Sequence, residues 1–128
     1  MYILMYAMVD TIANVYNSLN QIYMAALMTA PMVLIELALM GEMYPNKGFN
    51  KGIAALSVIA GLGFFLLIRQ QVAIIDTQFL RSMIPHHSGA ILMCAKAPIR
   101  DTELKALCKT IMTSQDAEIK QMRSMLER

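Results

Sequence analysis

Two long apolar segments within the first 75 residues constrain the fold of this chain most strongly. Residues 22–44 form a run of 23 that is interrupted only by one proline, one glycine and two glutamates, and residues 52–68 form a run of 17 without a charged side chain. A helix of about 20 apolar residues is long enough to cross a bilayer. Turn residues and a lysine separate the two runs at residues 44–48. The sequence therefore predicts a transmembrane helical hairpin, with the lipid bilayer as a partner.

Charged side chains are concentrated in the last 53 residues of the chain. Residues 1–75 carry three basic and three acidic side chains, whereas residues 76–128 carry eight and six. This asymmetry predicts a membrane anchor over residues 1–75 and a small polar domain over residues 76–128. The apolar share of 57% and the mean hydropathy of +0.49 exclude a disordered tail and a freestanding cytosolic enzyme. The net charge of +2 is too small to indicate a nucleic-acid partner.

The polar domain is predicted to be a two-helix hairpin, so that the whole chain is all-α. Its first helix begins near Asp76 and ends near Lys96, because Pro98 disfavours the α conformation of the residue before it. Its second helix begins at Asp101, a residue type that commonly caps helices, and ends in basic side chains that suit the helix dipole. The predicted architecture is a membrane hairpin that continues into a second helical hairpin outside the bilayer.

Basic residues around the two apolar runs give a small preference for one membrane orientation. Lys47 and Lys51 lie in the short loop, Arg69 and Arg81 follow the second run, and the N-terminal side has no basic residue. Loops rich in positive charge favour the cytoplasmic side. We therefore expect a cytoplasmic loop, with the C-terminal domain on the other side of the membrane.

Coordinating side chains gather on facing stripes of the two predicted polar helices. At 100° per residue, one face of the first helix holds most of its soft or coordinating residues, namely Met83, His86, His87, Met93 and Cys94. The corresponding stripe of the second helix holds Gln115, Glu118, Met122 and Met125. A buried polar group without a partner costs about 1–3 kcal/mol. We therefore expect the amide and the carboxylate of the second helix to hydrogen-bond to the two histidines and to orient them.

The residue types on these stripes favour a soft metal ion. The chain contains 13 methionines and no tryptophan. Thioethers and imidazoles bind copper(I) and similar ions, whereas calcium and magnesium prefer oxygen ligands. The resulting hypothesis is a copper(I) site formed by Met83, His86, His87 and Met93, with Met122 or Met125 from the second helix. Binding alone explains the pattern, so we expect a binding protein rather than an enzyme.

Other interpretations of these residues stay open. Methionines at helical spacing also fill hydrophobic cores, and a buried polar cluster can specify helix register and pairing without a metal. A di-iron enzyme would need several glutamates and Glu-x-x-His pairs, but neither His86 nor His87 has a glutamate three residues before it. Cys94 and Cys108 lack the CxxC spacing, and either they pair in one disulfide or Cys94 joins the metal site.

The spacing of these residues resembles a known family. The pattern Asp76-x-x-Phe79-x-x-x-Met83-Ile-Pro-His86-His87-x-x-Ala90-x-x-Met93, followed by Gln115-x-x-Glu118-Ile119-x-x-Met122, is similar to domain-of-unknown-function family 305, a ferritin-like helical family. The upstream runs resemble its membrane-anchored branch, in which residues 1–9 correspond to the tail of a first span. The resemblance implies binding of copper or silver, as in periplasmic copper-binding members, and it gives that role to Met83, His86, His87, Met93 and Met122.

A single hairpin of 53 residues is small for an independent domain. Each helix covers the apolar stripe of the other on one side only, and domains of this size commonly need a partner or a further element. We therefore expect a homodimer in which two hairpins form a ferritin-like four-helix bundle. Two copies of His86 and His87 would then approach each other near the symmetry axis.

Overall fold

The computed structural model describes residues 1–128 and contains helices but no strands. Two short 3₁₀ helices, Ile3–Met8 and Ile12–Asn14, precede four α-helices, which are α1 (Leu19–Met40), α2 (Lys47–Arg69), α3 (Asp76–Lys96) and α4 (Thr102–Leu126). The all-α prediction is confirmed. The chain divides into two compact units, one of Met1–Tyr2 with Asn20–Ala73 and one of Ile3–Leu19 with Ile74–Arg128.

The first unit consists mainly of α1 and α2, which are both long and apolar enough to cross a membrane. Almost none of their residues is fully buried within the protein. α2 begins at Lys47, five residues before the second apolar run, because the Asn46 side chain caps it by accepting a 3.0 Å hydrogen bond from the Phe49 amide. The two helices are therefore candidates for the predicted spans.

Small residues bring α1 and α2 close together. A Cβ atom on Gly61 would lie 3.1 Å from the Cβ atom of Ala30, which is the only buried residue of α1. Nearby, the rings of Tyr23 and Phe64 lie with their centroids 6.2 Å apart. Close backbone approach at small residues is the usual way in which helices associate in lipid, where the hydrophobic effect supplies no drive.

The second unit contains the predicted polar hairpin of α3 and α4. α3 ends at Lys96, as predicted from Pro98, and Asp101 caps α4 by accepting a 2.7 Å hydrogen bond from the Leu104 amide. The apolar core between the helices is small, with Ile84 fully buried and Ile119 4% exposed. A core of this size needs additional contacts to be stable.

The additional contacts come from the segment Ile3–Leu19, which we term the N-terminal arm. The arm lies against α3 in the second unit, whereas the sequence analysis grouped residues 1–75 as one anchor and took residues 1–9 as the tail of a span. Instead, residues 3–8 form a 3₁₀ helix. The physical reason is a set of polar side chains on the arm, Asn14 and Ser18 among them, which are 5% and 2% exposed, and Asn14 accepts a hydrogen bond from Arg123 of α4.

Candidate functional site

His87 is the buried histidine of the predicted site, and both of its ring nitrogens face oxygen atoms. Its Nδ1 lies 2.9 Å from the backbone oxygen of Met83, and its Nε2 lies 2.7 Å from Oε2 of Glu118 on α4. A carbonyl oxygen and a carboxylate can only accept, so the imidazole satisfies both when it donates from both nitrogens. His87 and Glu118 then form an ion pair between α3 and α4.

Glu118 is held in place from its own helix as well. The Ser114 hydroxyl donates a 2.9 Å hydrogen bond to Oε1 of Glu118, one turn before it on α4. The hydrogen bonds from Ser114 and His87 stabilise the carboxylate and hold the pKa of Glu118 below its usual value, against the opposing effect of desolvation. Gln115, the other polar residue of the stripe, is half-buried and makes no hydrogen bond to either histidine.

His86 has a different environment from His87. Its side chain is exposed, and it makes no hydrogen bond. Its ring centroid lies 6.0 Å from that of His87, with the ring planes at 66°. Successive side chains on an α-helix point about 100° apart. One of two neighbouring histidines can therefore face the core while the other faces solvent. The sequence analysis placed both on one face, and the structure separates them into one buried and one exposed imidazole.

The candidate methionine ligands are spread along the hairpin. Met83 is half-buried and lies one turn before His86, within reach of it on the same helix. Met93 is 53% exposed and lies seven residues after His86, about 10 Å further along the helix axis. On α4, Met122 is half-buried and Met125 is 42% exposed. Met83 and His86 therefore form one pair of candidate donors a single turn apart on α3, and Met122 and Met125 form a pair with the same spacing on α4.

Other donor types do not form a metal site in this structure. No group of three or more histidine, cysteine, aspartate or glutamate side chains is arranged to hold a metal ion. Cys94 and Cys108 are joined in a disulfide between α3 and α4, with their Cα atoms 5.3 Å apart. Of the two alternatives left open by the sequence, the structure thus shows the disulfide, so Cys94 is not a free thiolate ligand. The remaining donors are thioethers and imidazoles.

Sequence reasoning missed a second polar cluster, which joins the N-terminal arm to α3. The Ser88 hydroxyl accepts a 2.8 Å hydrogen bond from the Asp10 amide and donates to Oδ1 of Asp10, and the Asn14 amide donates a 2.6 Å hydrogen bond to the same carboxylate. Burial raises the pKa of Asp10, but the hydrogen bonds from Ser88, Asn14 and Thr11 outweigh it and leave this pKa below its usual value. Ser88 directly follows the two histidines, so the arm is attached beside the candidate site.

Arg123 of α4 and Gly89 of α3 also contact the arm. The Arg123 guanidinium donates to the backbone oxygen of Ala13, over 2.9 Å, and to the side-chain oxygen of Asn14. A Cβ atom on Gly89 would lie 3.3 Å from the backbone oxygen of Met8, so glycine permits the close approach of the arm. The sequence feature that could have indicated this contact is Asp10, the only charged residue before Glu36. Asp10 directly follows the apolar residues 1–9, and a carboxylate beside apolar residues needs a polar partner.

Comparisons with known proteins identify the C-terminal half of the chain. Residues 64–126 match the family model described as "Domain of unknown function (DUF305)". The chain is also 33% identical over 120 residues to "Uncharacterized protein L153" of Acanthamoeba polyphaga mimivirus, an alignment that covers 92% of this chain and 77% of the relative. No solved structure matches the chain.

Proposed function

Because the chain belongs to the DUF305 family, we propose that it is a membrane-anchored protein whose C-terminal domain binds copper(I) or a similar soft ion such as silver. In this proposal α1 and α2 cross the bilayer, and α3 and α4 form the metal-binding domain. The protein sequesters the ion, confers tolerance to it or delivers it to an acceptor. It carries out no catalysis.

The observation that carries the proposal is the exposed, unpartnered imidazole of His86 one turn after the thioether of Met83. A nitrogen and a sulfur donor at this spacing suit a soft ion, because thioethers discriminate against magnesium and calcium. Further donors come from the other methionines of the hairpin or of a second copy, which are Met93, Met122 and Met125. The donor set of this domain fits copper(I) better than it fits zinc or a di-iron centre, which need thiolates, carboxylates or more histidines.

His87 and Glu118 have a positioning role in this proposal. Their ion pair and the hydrogen bond of His87 to Met83 connect α4 to the turn of α3 that carries His86. For His87 itself to bind an ion through Nε2, this nitrogen must leave Glu118 and lose its proton. Loss of a partner that orients a metal ligand typically lowers affinity about 10- to 100-fold.

The N-terminal arm supports a membrane hairpin with two spans. The arm precedes α1 in the chain, and α3 follows α2. The arm and α3 nevertheless pack together in one unit. They can do so only if they are on the same side of the membrane, which requires an even number of crossings between them. α1 and α2 together meet this requirement.

A disulfide between α3 and α4 supports an oxidising compartment for the C-terminal domain. In a bacterial inner membrane this compartment is the periplasm, in agreement with the preference from the basic residues of the α1–α2 loop. We therefore propose that the arm and the α3–α4 hairpin are periplasmic.

A second copy of the chain is part of the proposal. α3 and α4 leave several large apolar side chains 42–53% exposed, which are Phe79, Met93, Leu104, Leu107 and Met125. A homodimer that covers them would have four helices in one bundle, as ferritin-like folds do. It would also double the number of methionine and histidine donors near each His86.

A copper(I) titration of the full chain in detergent, against a competing chelator, tests this function. The parent protein is expected to bind copper(I) stoichiometrically, and the His86→Ala, His87→Ala double variant is expected to lose the binding. Met83→Leu should weaken binding, whereas Met43→Leu, a matched change at a 72% exposed methionine in the α1–α2 turn, should leave it unchanged. Equal binding by the parent and the double variant would exclude the proposed site.

The closed contact between His87 and Glu118 favours one competing function, a purely structural role for the cluster. In that case the polar network fixes the register of α3 against α4 and the pairing of subunits without any metal. The same titration separates the two functions, because a structural network requires that neither protein binds copper(I). Size measurements with and without metal would then show whether the oligomer depends on the ion.

A further inference from the structure

The N-terminal arm has the polarity of a membrane-bound segment rather than that of a surface loop. Three of its polar side chains face the interior of the second unit, where Asn14 and Ser18 are buried and Asp10 is hydrogen-bonded, whereas Thr11 and Asn17 are exposed. Its large apolar side chains point outward, and their exposed fractions are 82% for Ile3, 71% for Leu4, 53% for Met8, 91% for Ile12 and 40% for Val15. A loop surrounded by water would have the opposite distribution.

The charge and aromatic content of the arm suit the headgroup region of a bilayer. Asp10 is the only charged side chain among the first 35 residues, and its carboxylate faces Ser88 and Asn14. The arm therefore presents no outward charge that would resist burial in lipid. Three of the five tyrosines of the chain lie at or beside the arm, namely Tyr2, Tyr6 and Tyr16, and tyrosine is enriched at membrane interfaces.

The position of the arm in the chain brings it to the membrane surface. Val15 lies four residues before Leu19, where α1 begins. If α1 crosses the bilayer, its first turn lies at the interface, and because extended chain spans at most about 3.6 Å per residue, Val15 lies within about 14 Å of that turn. We propose that the exposed side of the arm, Ile3, Leu4, Met8, Ile12 and Val15, inserts into the bilayer interface and holds the C-terminal domain against the membrane.

The inference rests on the membrane anchorage of the proposed function, and its occupant is lipid rather than a second copy of the chain. The exposed side of the arm has no charged side chain, and Thr11 and Asn17 are the polar side chains exposed beside the five apolar ones, so a protein partner finds few groups that would fix its register. Binding to a lipid surface does not require a defined register, because its strength scales with the apolar area that is buried. Because the arm is covalently joined to α1, it stays close to the lipid that surrounds α1. A separate protein partner would have to bind from solution.

Single tryptophans test the inference, because the chain has no tryptophan of its own. The full chain is reconstituted into phosphatidylcholine vesicles that contain lipids brominated at shallow or deep acyl positions, and fluorescence is recorded for three variants. Ile12→Trp reports on the arm, Ile59→Trp on an exposed position of α2, and Thr110→Trp on an exposed position of α4. The variants carry no change in the candidate metal site.

The expected result is blue-shifted emission of Ile12→Trp that shallow bromines quench more than deep ones. Ile59→Trp should be quenched most by deep bromines, and Thr110→Trp should emit as in water without quenching. Unquenched Ile12→Trp beside quenched Ile59→Trp would overturn the inference and leave the anchorage intact, and blue-shifted but unquenched emission would show that protein covers the arm. No quenching of Ile59→Trp would refute the anchorage, and the inference with it.

Discussion

The α1–α2 hairpin and the α3–α4 hairpin are similar in length but are stabilised by different contacts. In the first, helices of 22 and 23 residues meet at small side chains such as Ala30 and Gly61, and almost none of their residues is fully buried. In the second, helices of 21 and 25 residues are joined by a disulfide and an ion pair and are covered by the arm. The difference teaches that a small polar hairpin depends on a covalent bond and directional contacts, whereas the apolar hairpin has the close contacts at small residues by which helices associate in lipid.

The strongest test of this comparison is to replace one isoleucine with alanine in each hairpin. Ile84→Ala removes a fully buried side chain from α3 and should destabilise the C-terminal domain by about 2–5 kcal/mol. Ile59→Ala, at a 67% exposed position of α2, should change stability by less than about 0.5 kcal/mol. Denaturant unfolding of the full chain in detergent, followed by circular dichroism, measures both. Equal losses in the two variants would show that the hairpins have similar cores.

Removal of the disulfide should have the next largest effect. The chain-entropy model assigns about 3 kcal/mol to a loop of about 15 residues, close to the separation of 14 between Cys94 and Cys108. The Cys94→Ser, Cys108→Ser double variant should unfold at lower temperature, and the parent protein in excess reductant should reproduce its unfolding curve. Unchanged unfolding in both experiments would mean that the bond does not constrain this domain.

Serine-to-alanine changes compare the polar contacts of the two hairpins. Ser88→Ala leaves the Asp10 amide without its acceptor and should cost about 1–3 kcal/mol. Ser57→Ala in α2 removes only a bond to the Ile53 carbonyl of the same helix and should cost less than about 0.5 kcal/mol. Hydrogen exchange at the Asp10 amide should accelerate in Ser88→Ala alone. Retained protection there would show that the arm is held by other contacts.

Acid should weaken the second unit but not the first. The folded pKa values of Asp10 and Glu118 are both lowered, so their stabilisation is present above the ordinary carboxyl pKa of about 4 and is lost as the pH falls through the folded values. Asp10→Asn should flatten the dependence of unfolding free energy on pH below about 5, because the asparagine does not titrate.

Asp116→Asn provides the matched control for this titration, since Asp116 forms an exposed pair with Lys120 that contributes little to stability. It should keep the steeper acid dependence of the parent. The interpretation of the arm contacts would be refuted if Asp10→Asn kept that dependence as well.

Much of this architecture followed from local signals in the sequence. The two apolar runs predicted α1 and α2, Pro98 predicted the end of α3, and Asp101 predicted the start of α4. The carboxylate of Glu118 on an otherwise apolar stripe indicated that it would meet a histidine, and it contacts His87. These features depend on residues within one helix or on one pair of helices, so periodicity and capping rules reach them.

The environments of the histidines and of the arm depended on tertiary structure and were not predicted. His86 and His87 both lie within the wide stripe of a helical wheel, and only the packing of α4 decides which of them is buried. Asp10 and Ser88 are hydrogen-bonded although they are 78 residues apart in the chain, and Asn14 and Arg123 are 109 residues apart. No local pattern contains such pairs, and the unpaired Asp10 indicated only that some partner was required.

The attachment of Asn14 to Arg123 sets the order in which this protein can mature during synthesis. The arm precedes α1, and Arg123 lies in the last turn of α4, so the arm must wait for this partner until residue 123 has been translated. In the interval the polar groups of the arm are without their final partners. A nascent chain that stops before residue 123 would therefore leave the arm, 109 residues earlier, without this partner, and quality-control proteases would find the unpaired segment there.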